Sequence, residues 1–386
     1  MFNLKKYKFR RVYILVMLII LILLIFLYKN KSPQEDKNEE ELVFFSVNAF
    51  TAVNEYAEQN KPIYDVSDIK SKRQKEKFDK NFGKELLKLL NSPLLPVSVN
   101  EMVIWRSDPI DKETYIENKL TILTSNSSAA FAYLLVPKNI SFPAPLVLAM
   151  HAHGNTKYGA AETIGNKGNP ELFYGKELAE RGYVVFAMDA SSFGERLDFS
   201  QDSVEVQEKK YAQDLFELGY SPLGITIQED IRILDFLTSF SSIDKDNIGC
   251  IGHSFGGVRC MYLSALDERI KVTVLSNSVE KFREPIEFGG TQTWLSIVPD
   301  IAKYTGGNGM LALISPRPLM VLYSENDPIF PAEYLKLLIP PIKNIYKMLE
   351  QEKNLAIIEI PNKIHEFPKE YREQAYEFLD KHLKNN

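Results

Sequence analysis

Short apolar runs alternate with amphipathic stretches through the last three quarters of the chain. Residues 145–150, 247–251, 271–276, 319–323 and 355–360 are runs of strand length. Most are apolar at successive positions rather than at every second one, the pattern of strands buried on both faces of a parallel sheet. Residues 171–181, 221–240, 258–266, 332–350 and 368–383 predict helices between and after them. Strands and helices in alternation predict an α/β fold with a mostly parallel sheet and helices on both faces. Residues 102–106, 115–124 and 131–136 read as strands that precede this alternation and predict an antiparallel start.

Upstream, Leu42, Phe45, Ala49, Val53 and Tyr56 recur at helical spacing, as do Phe78, Phe82, Leu86 and Leu89 within 68–90. Pro93 and Pro96 close this helical region. Each apolar stripe is expected to pack on the α/β body; a lid or a partner-binding element is the alternative. Residues 12–28 form an uninterrupted apolar run of 17, preceded by Lys5, Lys6, Lys8, Arg10 and Arg11. That run reads as an uncleaved signal anchor, since no Ala-x-Ala-like site follows it and no cysteine lies near it to accept lipid. The basic residues stay on the cytoplasmic side, which predicts a single pass with the α/β domain outside, on the periplasmic or extracellular face. The expected organisation is a basic segment and anchor at 1–31, a linker and helical region at 32–100, and the α/β domain at 101–386.

The first 31 residues carry seven Lys and Arg and no acid, which leaves 39 basic against 51 acidic side chains in the remainder. An acidic body argues against nucleic acid as a partner. Cys250 and Cys260 are the only cysteines, and each is expected to fill apolar space rather than to pair with the other.

The candidate chemistry centres on Gly252-His253-Ser254-Phe255-Gly256. Such a pentapeptide is common by chance, so the strand before it and the helix after it carry the inference. They place Ser254 on a sharp strand-to-helix turn, where flanking glycines let strand and helix approach and a hydroxyl is exposed for attack. A serine needs a base, and the base needs an orienting acid. Asp327 follows the apolar run 319–323, with Glu325 as the substitute acid, and His365 follows the run 355–360. The chain order Ser254, Asp327, His365 is that of one group of hydrolases. Two backbone N–H groups should receive the oxyanion, those of Phe255 and of His153 in the loop after residues 145–150. His151 is expected to pin that loop by hydrogen bonds. No Cys, Asp or Glu adjoins His151 and His153 at ligand spacing, so neither a metal nor another cofactor is called for. His382 is expected to be solvated, Arg196 and Arg317 to be structural anchors, and Trp294 and Tyr304 to line the wall of the pocket within 277–315.

These elements resemble the α/β-hydrolase superfamily, and within it the dienelactone hydrolase-like and acetyl xylan esterase-like branch. Residues 183–189 followed by Ser191-Ser192-Phe193-Gly194-Glu195-Arg196 are similar to the Asp-(x)n-Gly-x-Arg signature of that branch. Residues 294–310 leading into Ser315-Pro316-Arg317-Pro318 resemble its approach to the acid strand, and Asp327-Pro328-Ile329-Phe330-Pro331 its continuation. Ala152 departs from the pattern, which commonly has Gly in the His-Gly loop. The resemblance covers about 101–386 and implies a serine hydrolase acting on carboxylic esters, without fixing the acyl group. Residues 277–315 lack the long amphipathic apolar helix of an interfacial lipase lid, so a short-chain acyl ester is expected, an acetyl ester of a glycan being the class that the resemblance and the anchor favour. A peptidase of the prolyl oligopeptidase type and an inactive binding module on the same fold are the alternatives.

Overall fold

The computed structural model describes residues 61–94, 96–154, 157–198, 203–279 and 293–384, together with Glu55 and Gln59. The chain divides into two compact units, Met1–Asn48 and Ala49–Asn386, and all described residues belong to the second. The expected span at 12–28 and the apolar stripe from Leu42 to Tyr56 lie outside the described residues. Among those described, no helix is long and apolar enough to cross a membrane.

Among the described residues, ten strands form one sheet. They are β1 (Val103–Arg106), β2 (Ile110–Asp111), β3 (Tyr115–Ser125), β4 (Ser128–Pro137), β5 (Ala144–Met150), β6 (Val184–Met188), β7 (Ile243–His253), β8 (Val272–Ser276), β9 (Leu319–Ser324) and β10 (Leu355–Ile360). Their order is β1-β3-β4-β6-β5-β7-β8-β9-β10, with β2 paired to β3. The β1/β3, β3/β4 and β4/β6 pairs are antiparallel. From β6 through β5, β7, β8 and β9 to β10 every pair is parallel, so the α/β architecture with an antiparallel start is borne out.

Ten helices accompany the sheet among the described residues: α1 (Lys72–Leu89), α2 (Ala160–Thr163), α3 (Tyr174–Glu180), α4 (Val204–Glu217), α5 (Pro222–Leu237), α6 (Phe255–Leu266), α7 (Ile301–Tyr304), α8 (Gly309–Ile314), α9 (Ala332–Met348) and α10 (Lys369–Leu383). The continuous apolar runs split by alternation into two buried layers, because successive side chains of a strand point to opposite faces. In β5, Leu146, Leu148 and Met150 join the core beneath α1, α5, α6, α8 and α9, while Val147 and Ala149 join the core beneath α2, α3 and α10. Phe78, Phe82 and Leu86 of α1 lie in the first of these layers, so this stripe packs on the α/β body, as expected. The helix α4 escapes the pattern of apolar periodicity. Only Glu208 and Ala212 of its 14 residues are buried, and good helix formers rather than an apolar stripe define it.

Cys250 on β7 and Cys260 on α6 form a disulfide, which corrects the expectation that they stay unpaired. Sequence spacing alone does not show that the elbow folds helix back along strand and leaves the two Cα atoms 5.7 Å apart. Beside this bridge, Arg259 of α6 is fully buried and donates two hydrogen bonds to Asp230 of α5, at 2.6 and 3.1 Å, and one to the Met188 carbonyl at 3.3 Å. The pair fastens the elbow helix to its neighbour. Replacing one partner strands the other's charge in the core, so Asp230→Ala should lower the unfolding free energy by about 3–5 kcal/mol. Urea denaturation followed by circular dichroism measures this, and a change below about 1 kcal/mol would show that the pair contributes no more than a surface one.

Candidate active site

The site is assembled at the carboxyl ends of β5, β7, β9 and β10. Ser254 lies between β7 and α6 with φ 55° and ψ −128°, a left-handed conformation that costs an L-residue energy and that the surrounding packing must hold in place. Two glycines make the turn possible. A Cβ on Gly252 would collide with the backbone of Gly256 and Gly257, and one on Gly256 would collide with the Met150 and His151 carbonyls. The turn itself is tied down by the Ser254 N–H, which donates to the Ser276 carbonyl at 2.8 Å. Phe255 opens α6, where the geometry of a helix start leaves its N–H without an intrahelical acceptor.

His365 and Asp327 are brought together as expected, with the imidazole Nδ1 2.7 Å from Asp327 Oδ2. Since an ionised carboxylate only accepts, Nδ1 carries the proton and Nε2 is left with its lone pair. The other oxygen of Asp327 accepts from the Ile329 and Phe330 N–H groups at 2.8 and 2.9 Å, and the Phe330 ring stacks on the His365 ring at 5.8 Å. Glu325, the substitute acid, instead accepts from the Asn362 N–H at 2.8 Å, and among the described residues it forms no hydrogen bond or ion pair with His365. Ser254 and His365 line one cavity of about 680 Å³ together with His153, Phe255, Trp294 and Phe330. Among the described residues no hydrogen bond joins the Ser254 hydroxyl to the imidazole.

His151 is buried and pins the loop after β5. The Ala190 N–H donates to its Nε2 at 3.0 Å, so Nδ1 carries the proton and donates to the Ala152 carbonyl at 2.8 Å. Desolvation lowers its pKa from 6.5 to about 3, with the Arg259 charge acting in the same direction. His153 is held differently: its Nε2 meets Glu208 Oε2 of α4 at 2.8 Å, and Phe193 stands edge-on to the ring at 5.3 Å. Burial works to raise the pKa of Glu208, yet hydrogen bonds from His153 and Thr293 bring it below the ordinary carboxylate value.

Three further groups shape the site and escaped the sequence reading. Asn277, with φ 47° at the end of β8, accepts from the Ser324 N–H at 2.6 Å and donates to the Glu366 carbonyl at 2.7 Å, joining the ends of β8 and β9 to the His365 loop. His253 packs 4.7 Å from the His365 ring, and burial, followed by the neighbouring His365, pushes its pKa far down. Glu208 sits on the helix that carried no apolar signal. Arg196 and Arg317 are structural anchors, as expected. Arg196 makes a two-pronged pair with buried Glu229 at 2.8 Å on each arm, and Arg317 donates to the Ile270, Asp267 and Ser264 carbonyls. Trp294 lines the cavity, whereas Tyr304 stacks on Tyr64 at 6.4 Å and belongs to the α1 packing instead. His382 packs against Phe378 at 4.7 Å rather than standing in solvent.

A parallel sheet bearing a strand-turn-helix serine, with an acid and a histidine on the loops of later strands, is the architecture of the α/β-hydrolases. The sequence matches the Abhydrolase family over residues 43–328, and the chain belongs to that family. It is 30% identical over 260 residues to YtaP, a hydrolase by name, of Bacillus subtilis (strain 168), a match covering 65% of this chain and 82% of that protein. In fold it is similar to an acetyl xylan esterase by name from Bacteroides fragilis NCTC 9343, with a TM-score of 0.67 at 20% identity over 81% of this chain and 82% of that one. A methylesterase gives a TM-score of 0.64 at 19% identity over 86% and 67%. A glucuronoyl esterase from Solibacter usitatus gives 0.55 at 14% identity over 79% and 93%.

The state of His151 gives this site a pH signature. An unfolded imidazole takes up its proton below about 6.5, whereas the folded one stays neutral down to about 3. Between these values the unfolded chain binds more protons, so stability falls as the pH drops. His151→Asn should be less stable than the wild type at pH 8 and should lose less on acidification to pH 5. Urea midpoints at the two pH values measure this, and parallel losses would overturn it.

Proposed function

We propose that this protein is a membrane-anchored serine hydrolase of carboxylic esters, with Ser254 as nucleophile, His365 as general base and Asp327 as the residue that orients it. The observation that carries the reading is the strained Ser254 elbow opening on the same cavity as an imidazole whose Nδ1 is held by a buried carboxylate. His365 Nε2 takes the Ser254 proton as Oγ attacks the ester carbonyl carbon. The oxyanion is received by the N–H groups of Phe255 and His153. Collapse expels the alcohol, which takes the proton from His365; water, deprotonated by the same base, then releases the acid and restores Ser254.

The substrate is a short-chain acyl ester, with an acetylated glycan as the favoured class. Support comes from the fold neighbours, named as acetyl xylan, methyl and glucuronoyl esterases. The anchor reading rests on the apolar run at 12–28 and the five basic residues before it. The Cys250–Cys260 bridge agrees with an oxidising compartment outside the cytosol.

Ser254→Ala should abolish labelling by a fluorophosphonate and lower ester turnover by roughly 10³-fold or more. The wild type should show a higher kcat/KM for acetyl than for decanoyl esters of one chromogenic alcohol and release acetate from acetylated oligosaccharides. A Ser254→Ala enzyme that keeps most of its activity sinks the nucleophile assignment, and a preference for the long chain sinks the short-acyl reading. For topology, protease added to cells with a permeabilised outer barrier should degrade the catalytic domain, and the mature protein should retain residues 12–28 by mass spectrometry. Protection of the domain, or a mature start near residue 30, would overturn the anchored orientation.

A further inference from the structure

One carboxylate joins three walls of the cavity. Glu208 comes from α4, and its Oε2 receives the Nε2–H of His153, in the loop after β5, at 2.8 Å. Its Oε1 receives the hydroxyl of Thr293, which in turn accepts the Leu295 N–H at 3.1 Å and so caps the short turn Trp294–Ser296. Both oxygens are thus engaged, and the carboxylate is nearly buried, with 8% of its side chain exposed against 35% for His153.

Among the described residues, neither His153 nor Gly154 is fixed by a main-chain hydrogen bond. His153 precedes Gly154, which adopts φ +38°, and among the described residues the His153 N–H donates to no carbonyl. The two hydrogen bonds of His151 secure the first half of the loop. The second half is secured through the His153 ring, gripped by Glu208 and flanked by Phe193. A main-chain donor works on a developing oxyanion only if its position is held to a few tenths of an ångström, and here that position is set through a side chain.

We infer that Glu208 is a positioning residue for acyl transfer, acting through His153 to hold the oxyanion donor and through Thr293 to hold the Trp294 wall. This rests on the Ser254 hydrolase reading. Displacing a donor costs less than deleting one, so Glu208→Ala should lower kcat about tenfold to a hundredfold while KM changes less than about threefold, because ground-state contacts are spared. Glu208→Gln can still accept from His153 Nε2–H and can donate to the Thr293 hydroxyl, so it should recover most of the lost kcat. The loss should not add to that of His153→Ala, which removes the same link.

The experiment is a double-mutant cycle of Glu208→Ala and His153→Ala on the full chain, read by steady-state ester hydrolysis, fluorophosphonate labelling rate and thermal unfolding midpoint. The inference is overturned if Glu208→Ala keeps its kcat, if its whole effect lies in KM, if Glu208→Gln is as slow as Glu208→Ala, or if the two substitutions act independently. Should Glu208→Ala fail to fold, His153→Ala and Thr293→Val each cut one arm of the bridge, and full kcat in His153→Ala overturns the inference. A wild-type protein that does not react with the fluorophosphonate sinks the hydrolase reading and this inference with it. A reactive wild type with an unaffected Glu208→Ala sinks this inference alone.

Discussion

The molecule is organised around the closeness of the elbow helix to two strands. At Gly252 and Gly256 the backbone of α6 lies against that of β7 and against the end of β5, with no space for a side-chain carbon. Everything nearby follows from that contact. It forces Ser254 to a positive φ, brings the start of α6 to the end of β5, and stacks Cys260 over Cys250. The buried Arg259–Asp230 pair then carries the position of α6 to α5, and Arg317 carries it to the approach of β9 through three main-chain carbonyls. The strain at one residue is spread over a large part of the α/β body, which is how a sparsely populated backbone conformation persists.

The parallel strands and most of their helices were legible because burial on both faces leaves continuous apolar runs, and burial on one face leaves a stripe. Ser254, Asp327 and His365 were legible because each follows such a run, and the structure sets His365 on Asp327 and brings Ser254 to the same cavity. The helix α4 was not, since it lies on the surface and its residues are chosen for helix propensity and polarity. Its Ser203 start and its Lys210–Asp214 pair at 2.7 Å were the available signals. Glu208 was lost with it. Asn277 was illegible for another reason: its partners Ser324 and Glu366 are 47 and 89 residues away, and nothing local marks a side chain that bridges the ends of distant strands. The cysteine pair was misread for the converse reason, because its partners are close in sequence yet their approach depends on the sharpness of the turn.

Histidine is used in three distinct states around the cavity. His151 is dry, neutral and structural; His153 is half open and bound to a carboxylate; His365 is held by an acid saturated with main-chain donors. His253, a fourth, lies against the His365 ring and is kept uncharged by burial. In the proposed mechanism its neutrality matters, because a second imidazolium at that distance would oppose a proton arriving at His365.

The Asp327 loop couples shape to chemistry. Ile329 and Phe330 line the cavity and are also the donors that hold Asp327, and the Phe330 ring is the surface on which His365 rests. This wall therefore cannot drift freely as substrates change, because a shift of its main chain also re-aims the imidazole. Val206 and Trp294 line the same cavity, and among the described residues neither has a hydrogen bond or ring contact with His365 or Asp327. Diversification of acyl or alcohol preference, by selection or in the laboratory, is thus least constrained at positions such as Val206, which belongs neither to the Asp327 loop nor to the Glu208 bridge, with the Asp327 side acting as a fixed gauge.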